Sequence, residues 1–198
     1  MSTVRAASIS QGPAVAVEPL AVSSVTGPLA EIMAAMDVET GRQAAYIASI
    51  PARNPLYGQP NPRLPSSLSQ ALKKLGVQRL YSHQTAALQA ARQGKDLVVI
   101  TSTSSGKSLC YNLPVLERVL ADREAHALYI YPINALINDQ FNSLARLALE
   151  LGHDAVSIDR YSGSVTTDRR RDIRARQPNI ILTNPEMVHL SFLQWHHL

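Results

Sequence analysis

The sequence contains a single cysteine, no long hydrophobic run and no Asp-Glu dipeptide. One cysteine, Cys110, excludes an internal disulfide framework and a zinc site built from cysteines, and it is typical of a reducing compartment. No apolar run approaches the roughly 20 residues that a membrane-spanning helix needs. The N-terminus has only Arg5 before a stretch of Ala, Val, Ser and Pro, which is unlike a signal peptide. We therefore expect a cytoplasmic protein without a membrane partner.

The composition is that of a folded and mildly basic protein. Of the 198 residues, 45% are hydrophobic and 17% are charged, as in ordinary globular domains. Lys and Arg outnumber Asp and Glu by 19 to 15, which gives a formal net charge of +4. This excess is compatible with a polyanionic partner, but many ordinary enzymes are equally basic.

Local composition divides the chain into three segments. Residues 1–27 lack a sustained hydrophobic period, and we predict a disordered tail that ends at the Gly27-Pro28 pair. Residues 28–66 are predicted to form a short helix followed by an irregular, proline-rich lead-in. Residues 67–198 carry the pattern of a folded domain.

In this third segment, predicted helices alternate with short apolar strands. Helices are predicted at 67–76, 83–94, 107–120, 134–151, 166–176 and from Asn184, and strands at 96–101, 127–131, 155–159 and 179–183. The alternation indicates an α/β fold with a parallel sheet. Ligands of such sheets bind at the carboxyl ends of the strands, and the motifs described below follow strand ends.

The segment after the first predicted strand has the residues of a phosphate-binding loop. Gly106 lets the backbone approach a phosphate, Lys107 supplies charge for the β- and γ-phosphates, and the Ser108 hydroxyl can ligate the Mg²⁺ of a nucleotide. Backbone N–H groups at the start of a helix also face phosphates in such loops. The predicted ATP contacts of the loop are Thr103, Ser104, Ser105, Gly106, Lys107 and Ser108. The alternative is a serine-rich turn that only caps a helix.

Several motifs together resemble the DEAD/DEAH-type group of superfamily 2 helicases that includes DNA-repair helicases with a C-terminal zinc-binding region. LYSHQ at 80–84 resembles the Q motif, and TSTSSGKSLCYNLPVL at 101–116 resembles the group's phosphate loop, in which threonine commonly replaces the first glycine. The lead-in IPARNPLYG at 50–58 is also similar. The resemblance implies an incomplete RecA-like P-loop domain in which Gln84 reads the adenine edge, since an amide both donates and accepts hydrogen bonds.

Three later stretches resemble the group's nucleic-acid contacts. YPINALINDQ at 131–140 resembles motif Ia, although Ile133 and Asn134 stand where a threonine and a basic residue are usual. YSGS at 161–164 resembles the segment before motif Ib, and TNPEM at 183–187 resembles motif Ib, with Thr183 or Asn184 able to cap the last helix. The residues that the resemblance places against a nucleic acid, DNA rather than RNA, are Pro132, Asn134, Gly163, Thr183, Asn184, Pro185 and Glu186.

The acidic half of an ATPase site has no counterpart in the sequence. Hydrolysis needs a Walker B aspartate for Mg²⁺ and, in these helicases, a neighbouring glutamate. DREAH at 122–126 has an inserted arginine and precedes a strand, so we interpret it as a solvated helix end. The resemblance places the acidic motif one strand after TNPEM, so we expect it, and the second motor domain, beyond Leu198. We expect the chain to be inactive alone.

Other candidate features have simpler interpretations. In RRRDIRAR at 169–176, Asp168 and Asp172 interleave with the arginines, which favours a solvated helix face. Cys110 is expected to be a small buried hydrophobic residue. His189, His196 and His197 lack accompanying ligands, so no metal site is predicted there.

The leading hypothesis is the amino-terminal segment of an ATP-dependent superfamily 2 DNA helicase that uses ATP and Mg²⁺. Two alternatives stay open at this point. One is a stand-alone P-loop NTPase or kinase, and the other is a non-catalytic module that binds a nucleotide or a nucleic acid.

Overall fold

The fold is that of a computed structural model, which describes residues 19–20, 27–28, 30–32, 34–35, 47–48, 54–102 and 105–193. The chain divides into two compact units, and residues 8–55 form the smaller one. In that unit, strand β1 (Pro19–Leu20) pairs antiparallel with strand β2 (Ile47–Ala48). Residues 28, 30–32 and 34–35 are helical. The rest of the predicted tail at 1–27, apart from Gly27, lies outside the described residues.

The larger unit, which includes residues 56–198, contains the predicted motifs from Leu80 onward. Its elements are β3 (Tyr57–Gly58), α1 (Ser66–Lys74), β4 (Leu80–Tyr81), α2 (Ser82–Arg92), α3 (Ser108–Ala121), β5 (Ala127–Ile130), α4 (Asn134–Leu151), β6 (Ile158–Tyr161), α5 (Thr167–Arg176), β7 (Ile180–Thr183), α6 (Pro185–Met187) and a wider helical turn at Val188–Phe192. No described helix is both long and apolar enough to span a bilayer.

A three-stranded parallel sheet in the order β5-β7-β6 organises this unit. The central strand β7 pairs with both neighbours, so that Ile181 lies opposite Leu128 on one side and opposite Asp159 on the other. Ile180 and Leu182 on β7 are completely buried, as expected for a strand covered on both faces. The parallel sheet with flanking helices confirms the α/β fold class.

A single large core packs helices α1 to α4 against the sheet. Its fully buried members include Leu68, Leu88, Leu113, Leu116, Ile180 and Leu182. Truncating one such leucine to alanine costs about 2–5 kcal/mol of folding free energy. The core therefore fixes α2 and α3, which carry the nucleotide motifs, relative to the strand ends.

Two predicted strands differ from the structure. Residues 96–101 form no strand and join none of the sheets of the described residues, and the side chain of Val98 is 73% exposed. An apolar run becomes a buried strand only where neighbouring strands accept its backbone hydrogen bonds, so the sequence pattern alone was insufficient here.

The strand predicted at 155–159 is formed at Ile158–Tyr161 instead. Asn179 explains the later start, because its Oδ1 accepts hydrogen bonds from the Ser157 backbone N–H (3.0 Å) and hydroxyl (2.8 Å). The Asn179 side chain thus accepts the Ser157 N–H, which a backbone carbonyl of a neighbouring strand would otherwise accept. Ala155 and Val156 are buried in the core as part of the preceding loop.

Candidate nucleotide site and nucleic-acid interface

Gln84 joins the segment that resembles a Q motif to the phosphate-binding loop. The Tyr81 backbone N–H donates to Gln84 Oε1 at 2.9 Å, and Gln84 Nε2 donates to the Gly106 carbonyl at 2.9 Å. The Gln84 side chain is buried, with 2% of the residue exposed. The amide therefore sits directly against the loop.

Gly106 is the point of closest approach between the loop and Gln84. Its φ of +77° lies in the region that favours glycine, and a Cβ at this position would stand 2.5 Å from Gln84 Nε2. Both the backbone conformation and the lack of space require glycine here.

The loop is folded around its own lysine. Lys107 Nζ donates to the Thr101 carbonyl at 3.1 Å and also bonds the Ser102 carbonyl. The Thr101 and Ser105 hydroxyls lie 2.5 Å apart, so threonine in place of the first glycine closes the loop through its side chain. Thr103 and Ser104, two of the predicted ATP contacts, lie outside the described residues.

An ion pair holds α2 against α3. The Arg92 guanidinium donates two hydrogen bonds to the Glu117 carboxylate, from Nε to Oε2 at 2.9 Å and from Nη2 to Oε1 at 2.5 Å. Both side chains are mostly buried, and such two-point contacts are directional. The pair fixes the helix that carries Gln84 against the helix that carries Ser108.

Sequence reasoning missed three side chains beside the loop. Gln140 Oε1 accepts hydrogen bonds from the Ser108 hydroxyl at 2.9 Å and the Tyr111 hydroxyl at 3.2 Å, and His83 Nε2 lies 3.0 Å from the Ser105 carbonyl. Gln140 ends the stretch that resembles motif Ia, which was the only sequence signal for it. Ser108, the predicted Mg²⁺ ligand, is thus bonded to α4.

The residues predicted to face a nucleic acid meet at the carboxyl ends of neighbouring strands. The Tyr131 N–H donates to the Thr183 carbonyl at 2.8 Å, which extends the β5–β7 pairing, and Asn184 Nδ2 donates to Asn134 Oδ1 at 3.2 Å. Asn134 is exposed. The structure therefore brings the two stretches that resemble motifs Ia and Ib into direct contact.

The cap of the terminal helix is Asn184. Its Oδ1 accepts from the Met187 N–H at 2.9 Å, and Pro185 is the first helical residue. The Thr183 side chain is completely buried, and its hydroxyl donates to the Tyr161 carbonyl at 2.6 Å. Of the other predicted contacts, the exposed residues are Pro132, Gly163, Pro185 and Glu186.

The arginine-rich helix α5 is paired with acids, as its sequence predicted. Arg169 and Arg176 both bond Asp159 Oδ2 at 3.0 Å, and both also pair with Asp172. The hydrogen bond from Arg176, together with the nearby guanidinium charges, lowers the pKa of Asp172. The basic side chains of this helix are therefore largely engaged within the protein.

The remaining candidate features have structural roles. Asp122 of DREAH pairs with Arg118 at 2.9 Å on an exposed helix end. Cys110 is buried, and burial raises the pKa of its thiol, as expected for a small hydrophobic residue. No group of three or more metal-ligating side chains occurs among the described residues.

A small loop before a Gly-Lys-Ser helix start, beside a parallel sheet flanked by helices, defines a RecA-like nucleotide-binding domain. The family model for the DEAD/DEAH box helicase matches residues 81–198. This match covers more than half of the sequence, and the chain belongs to the DEAD/DEAH box helicase family.

Individual relatives agree with this assignment. The uncharacterized ATP-dependent helicase YprA of Bacillus subtilis is 39% identical over 67% of this chain and 18% of its own length. The ATP-dependent helicase HRQ1 of Saccharomyces cerevisiae is 34% identical over 78% of this chain and 14% of its own length. A crystal structure of the DUF1998 helicase MrfA bound to DNA and AMPPNP superimposes with a TM-score of 0.69, at 35% identity, over 75% of this chain and 20% of MrfA. The chain thus spans a fifth or less of the length of these relatives.

Proposed function

We propose that this chain is the ATP-binding and DNA-binding amino-terminal segment of a helicase motor. The observation that carries the proposal is the Gln84–Gly106 hydrogen bond, which joins Gln84 to the phosphate loop where a Cβ has no room. Gln84 would read the adenine edge from this position. The whole enzyme would couple ATP hydrolysis to movement along DNA and unwinding, together with the remainder of the motor. The cytoplasmic location expected from the sequence is part of this proposal.

The residues of the loop fit a nucleotide with Mg²⁺. Lys107 would exchange its bonds to the Thr101 and Ser102 carbonyls for bonds to the β- and γ-phosphates, and Ser108 would exchange Gln140 for the metal ion. Mg²⁺ accepts few protein ligands and keeps several waters, so one hydroxyl suffices on this side. The bound ion would neutralise phosphate charge.

The DNA contact would lie at the ends of β5 and β7. Asn134 and Asn184 form a polar pair there, and neutral amides can bond phosphate oxygens. The MrfA structure that this chain resembles was determined with DNA bound, which supports DNA over RNA as the partner of the whole protein.

Nucleotide titration of Lys107→Ala tests the proposed site. We expect the ATP affinity to fall about 10-fold or more, because charge-assisted hydrogen bonds contribute about 1.5–3 kcal/mol. The matched control is Lys95→Ala, which removes the same charge from an exposed position ahead of the loop. Unchanged ATP affinity in Lys107→Ala, or an equal loss in both variants, would show that the loop does not bind phosphate.

A further inference from the structure

The positive charge of this chain is concentrated in one segment that contains no acid. Between Glu39 and Asp96 there is no Asp or Glu, whereas eight of the 19 Lys and Arg residues lie there. The rest of the chain has eleven cations and all fifteen acids. The segment is therefore strongly positive while the rest of the chain is net negative, and the net charge of +4 arises because this segment outweighs the rest.

Some of these cations are paired with acids from other parts of the fold, and some are not. Arg92 pairs with Glu117, and Lys74 pairs with Glu150 at 2.9 Å. By contrast, Arg63, Lys73 and Arg79 form no ion pair with any described residue, and all three are exposed.

The three unpaired cations line one cleft, which we call the basic cleft. It lies between α1 and the β3–β4 pair, has a volume of about 460 Å³ and is lined only by residues from Gly58 to Leu80. Its lining contains no acid and includes the neutral donors Ser66, Ser69 and Gln78. Three positive charges without counter-ions around one concave surface attract an anion.

Arg79 also contacts an aromatic ring. Its guanidinium lies 4.0 Å from the centroid of the Tyr57 ring. The Tyr57 ring stacks on the Tyr81 ring at 5.5 Å, and the Tyr81 ring stacks on the His83 ring at 5.7 Å. Arg79 also lines the basic cleft, so the cation that contacts Tyr57 belongs to the cleft wall. Unpaired bases stack on guanidinium planes as well as on aromatic rings.

We propose that the basic cleft binds the backbone of single-stranded nucleic acid. Arg63 and Lys73 would contact successive phosphates, and the Arg79 plane would support a base. Positive charge combined with a stacking surface is typical of sequence-tolerant single-strand sites, whereas an acidic peptide offers nothing for the stack. None of the residues that line the cleft is among the predicted contacts at the ends of β5 and β7, so the proposal adds a new set of residues.

This inference rests on the proposed helicase function for the nature of its partner. It does not depend on the nucleotide site or on the Asn134–Asn184 pair. The experiment is therefore designed so that failure of the cleft and failure of the proposed function give different results.

The test measures binding of a labelled oligothymidylate to the full chain by fluorescence anisotropy across a salt series. The key variant is Arg63→Ala/Lys73→Ala. For single strands, each lost phosphate contact makes the negative slope of log affinity against log salt shallower by about 0.7. We therefore expect a slope shallower by about 1.4 and roughly 10-fold weaker binding near physiological salt. ATP affinity should stay unchanged.

Lys74→Ala is the matched control. It removes the same side chain from the adjacent position of α1, but that lysine is paired with Glu150, so we expect little change in slope. An unchanged slope in the double variant, or an equal change in Lys74→Ala, overturns the proposal. So does a parallel loss of ATP affinity, which would assign the cleft to the nucleotide, and so does equally effective competition by polyglutamate or inorganic phosphate.

A second variant separates this result from the proposed function. If Asn134→Ala/Asn184→Ala removes DNA binding and the cleft variant does not, the helicase contacts stand and the cleft proposal fails. If the cleft variant weakens DNA binding while Lys107→Ala leaves ATP affinity unchanged, the cleft stands and the proposed nucleotide site fails.

Discussion

Two positions of the phosphate loop show how side chains and backbone limit substitution differently. At Thr101 a side chain takes part in the loop, since its hydroxyl lies 2.5 Å from that of Ser105. At Gly106 a side chain is excluded, because a Cβ would stand 2.5 Å from Gln84 Nε2. The first glycine of a phosphate loop is therefore replaceable here, whereas the one before the lysine is not.

Gly106→Ala should destabilise the loop and weaken nucleotide binding together. Alanine in a left-handed conformation costs about 1–2 kcal/mol, and the added Cβ also forces Gln84 away from the loop. We expect ATP affinity to fall about 10-fold or more, with the loss of one buried hydrogen bond as an additional cost. Nucleotide titration and thermal denaturation measure the two effects.

Gly76→Ala is the control for backbone strain. Gly76 has a similar φ of +86°, but a Cβ there meets no atom within 4 Å. This variant should lose about 1–2 kcal/mol of stability and keep its ATP affinity. If both variants lose the same stability and neither loses affinity, the contact between Gln84 and the loop does not matter for binding.

At the scale of elements, α4 connects the phosphate loop to the residues proposed to contact a nucleic acid. Its first residue, Asn134, bonds Asn184 at 3.2 Å, and Gln140, less than two turns later, bonds Ser108 at 2.9 Å. A rigid helix that contacts both sites gives a physical connection between them. If Ser108 held the Mg²⁺ of a nucleotide, this end of the helix would lose its hydrogen bond to Ser108.

Gln140→Ala should therefore strengthen Mg²⁺-dependent nucleotide binding. The Ser108 hydroxyl would no longer have to leave a partner, and a typical hydrogen bond contributes about 0.5–1.5 kcal/mol, which corresponds to an affinity gain of roughly 2- to 10-fold. Titrations with ATP in the presence and absence of Mg²⁺ measure the effect, which should appear only with the metal.

The matched control is Gln89→Ala. Gln89 lies on α2, and its Nε2 donates to the Asn61 carbonyl at 2.6 Å. That variant should leave the affinity unchanged. A loss of affinity in Gln140→Ala would instead indicate that Gln140 supports the loop in its nucleotide-bound form.

Local signals in the sequence predicted elements whose ends are set by local chemistry. The helices that end before Gly76 and Gly94 and the full extent of α4 were predicted correctly. Of the two caps predicted for the last helix, Thr183 or Asn184, the structure has Asn184. The family resemblance also agreed with the match to known helicases. The helix ends, the cap and the extent of α4 depend on glycine, capping residues and the 3.6-residue period, all of which lie within one short segment of sequence.

Features that depend on distant partners could not be predicted. The Ser108–Gln140 bond joins positions 32 residues apart, and no pattern in either segment indicates it. The strand predicted at 96–101 failed for the same reason, because strand formation depends on a neighbour and not on apolar residues alone.

At the scale of the whole molecule, apolar surface remains exposed along one side of the sheet. Among the described residues, β5 pairs only with β7, so it is an edge strand of the sheet. Leu128 and Ile130 on β5 are 45% and 51% exposed, while Tyr129 between them is buried. Val98, in the segment that forms no strand, is 73% exposed. Exposed apolar strand edges promote pairing with other chains.

We therefore expect the 198-residue chain to self-associate in a concentration-dependent way, and Ile130→Lys to increase the monomer fraction, because a lysine on an edge strand opposes pairing. Sedimentation velocity measures both. Leu149→Lys adds the same charge to another exposed apolar position, which is 65% exposed on α4, so a general effect of net charge on solubility would appear in both variants. A specific role for the β5 edge requires that only Ile130→Lys raises the monomer fraction. A chain that stays monomeric at every concentration tested, or an equal response of the two variants, would mean that this edge does not drive association.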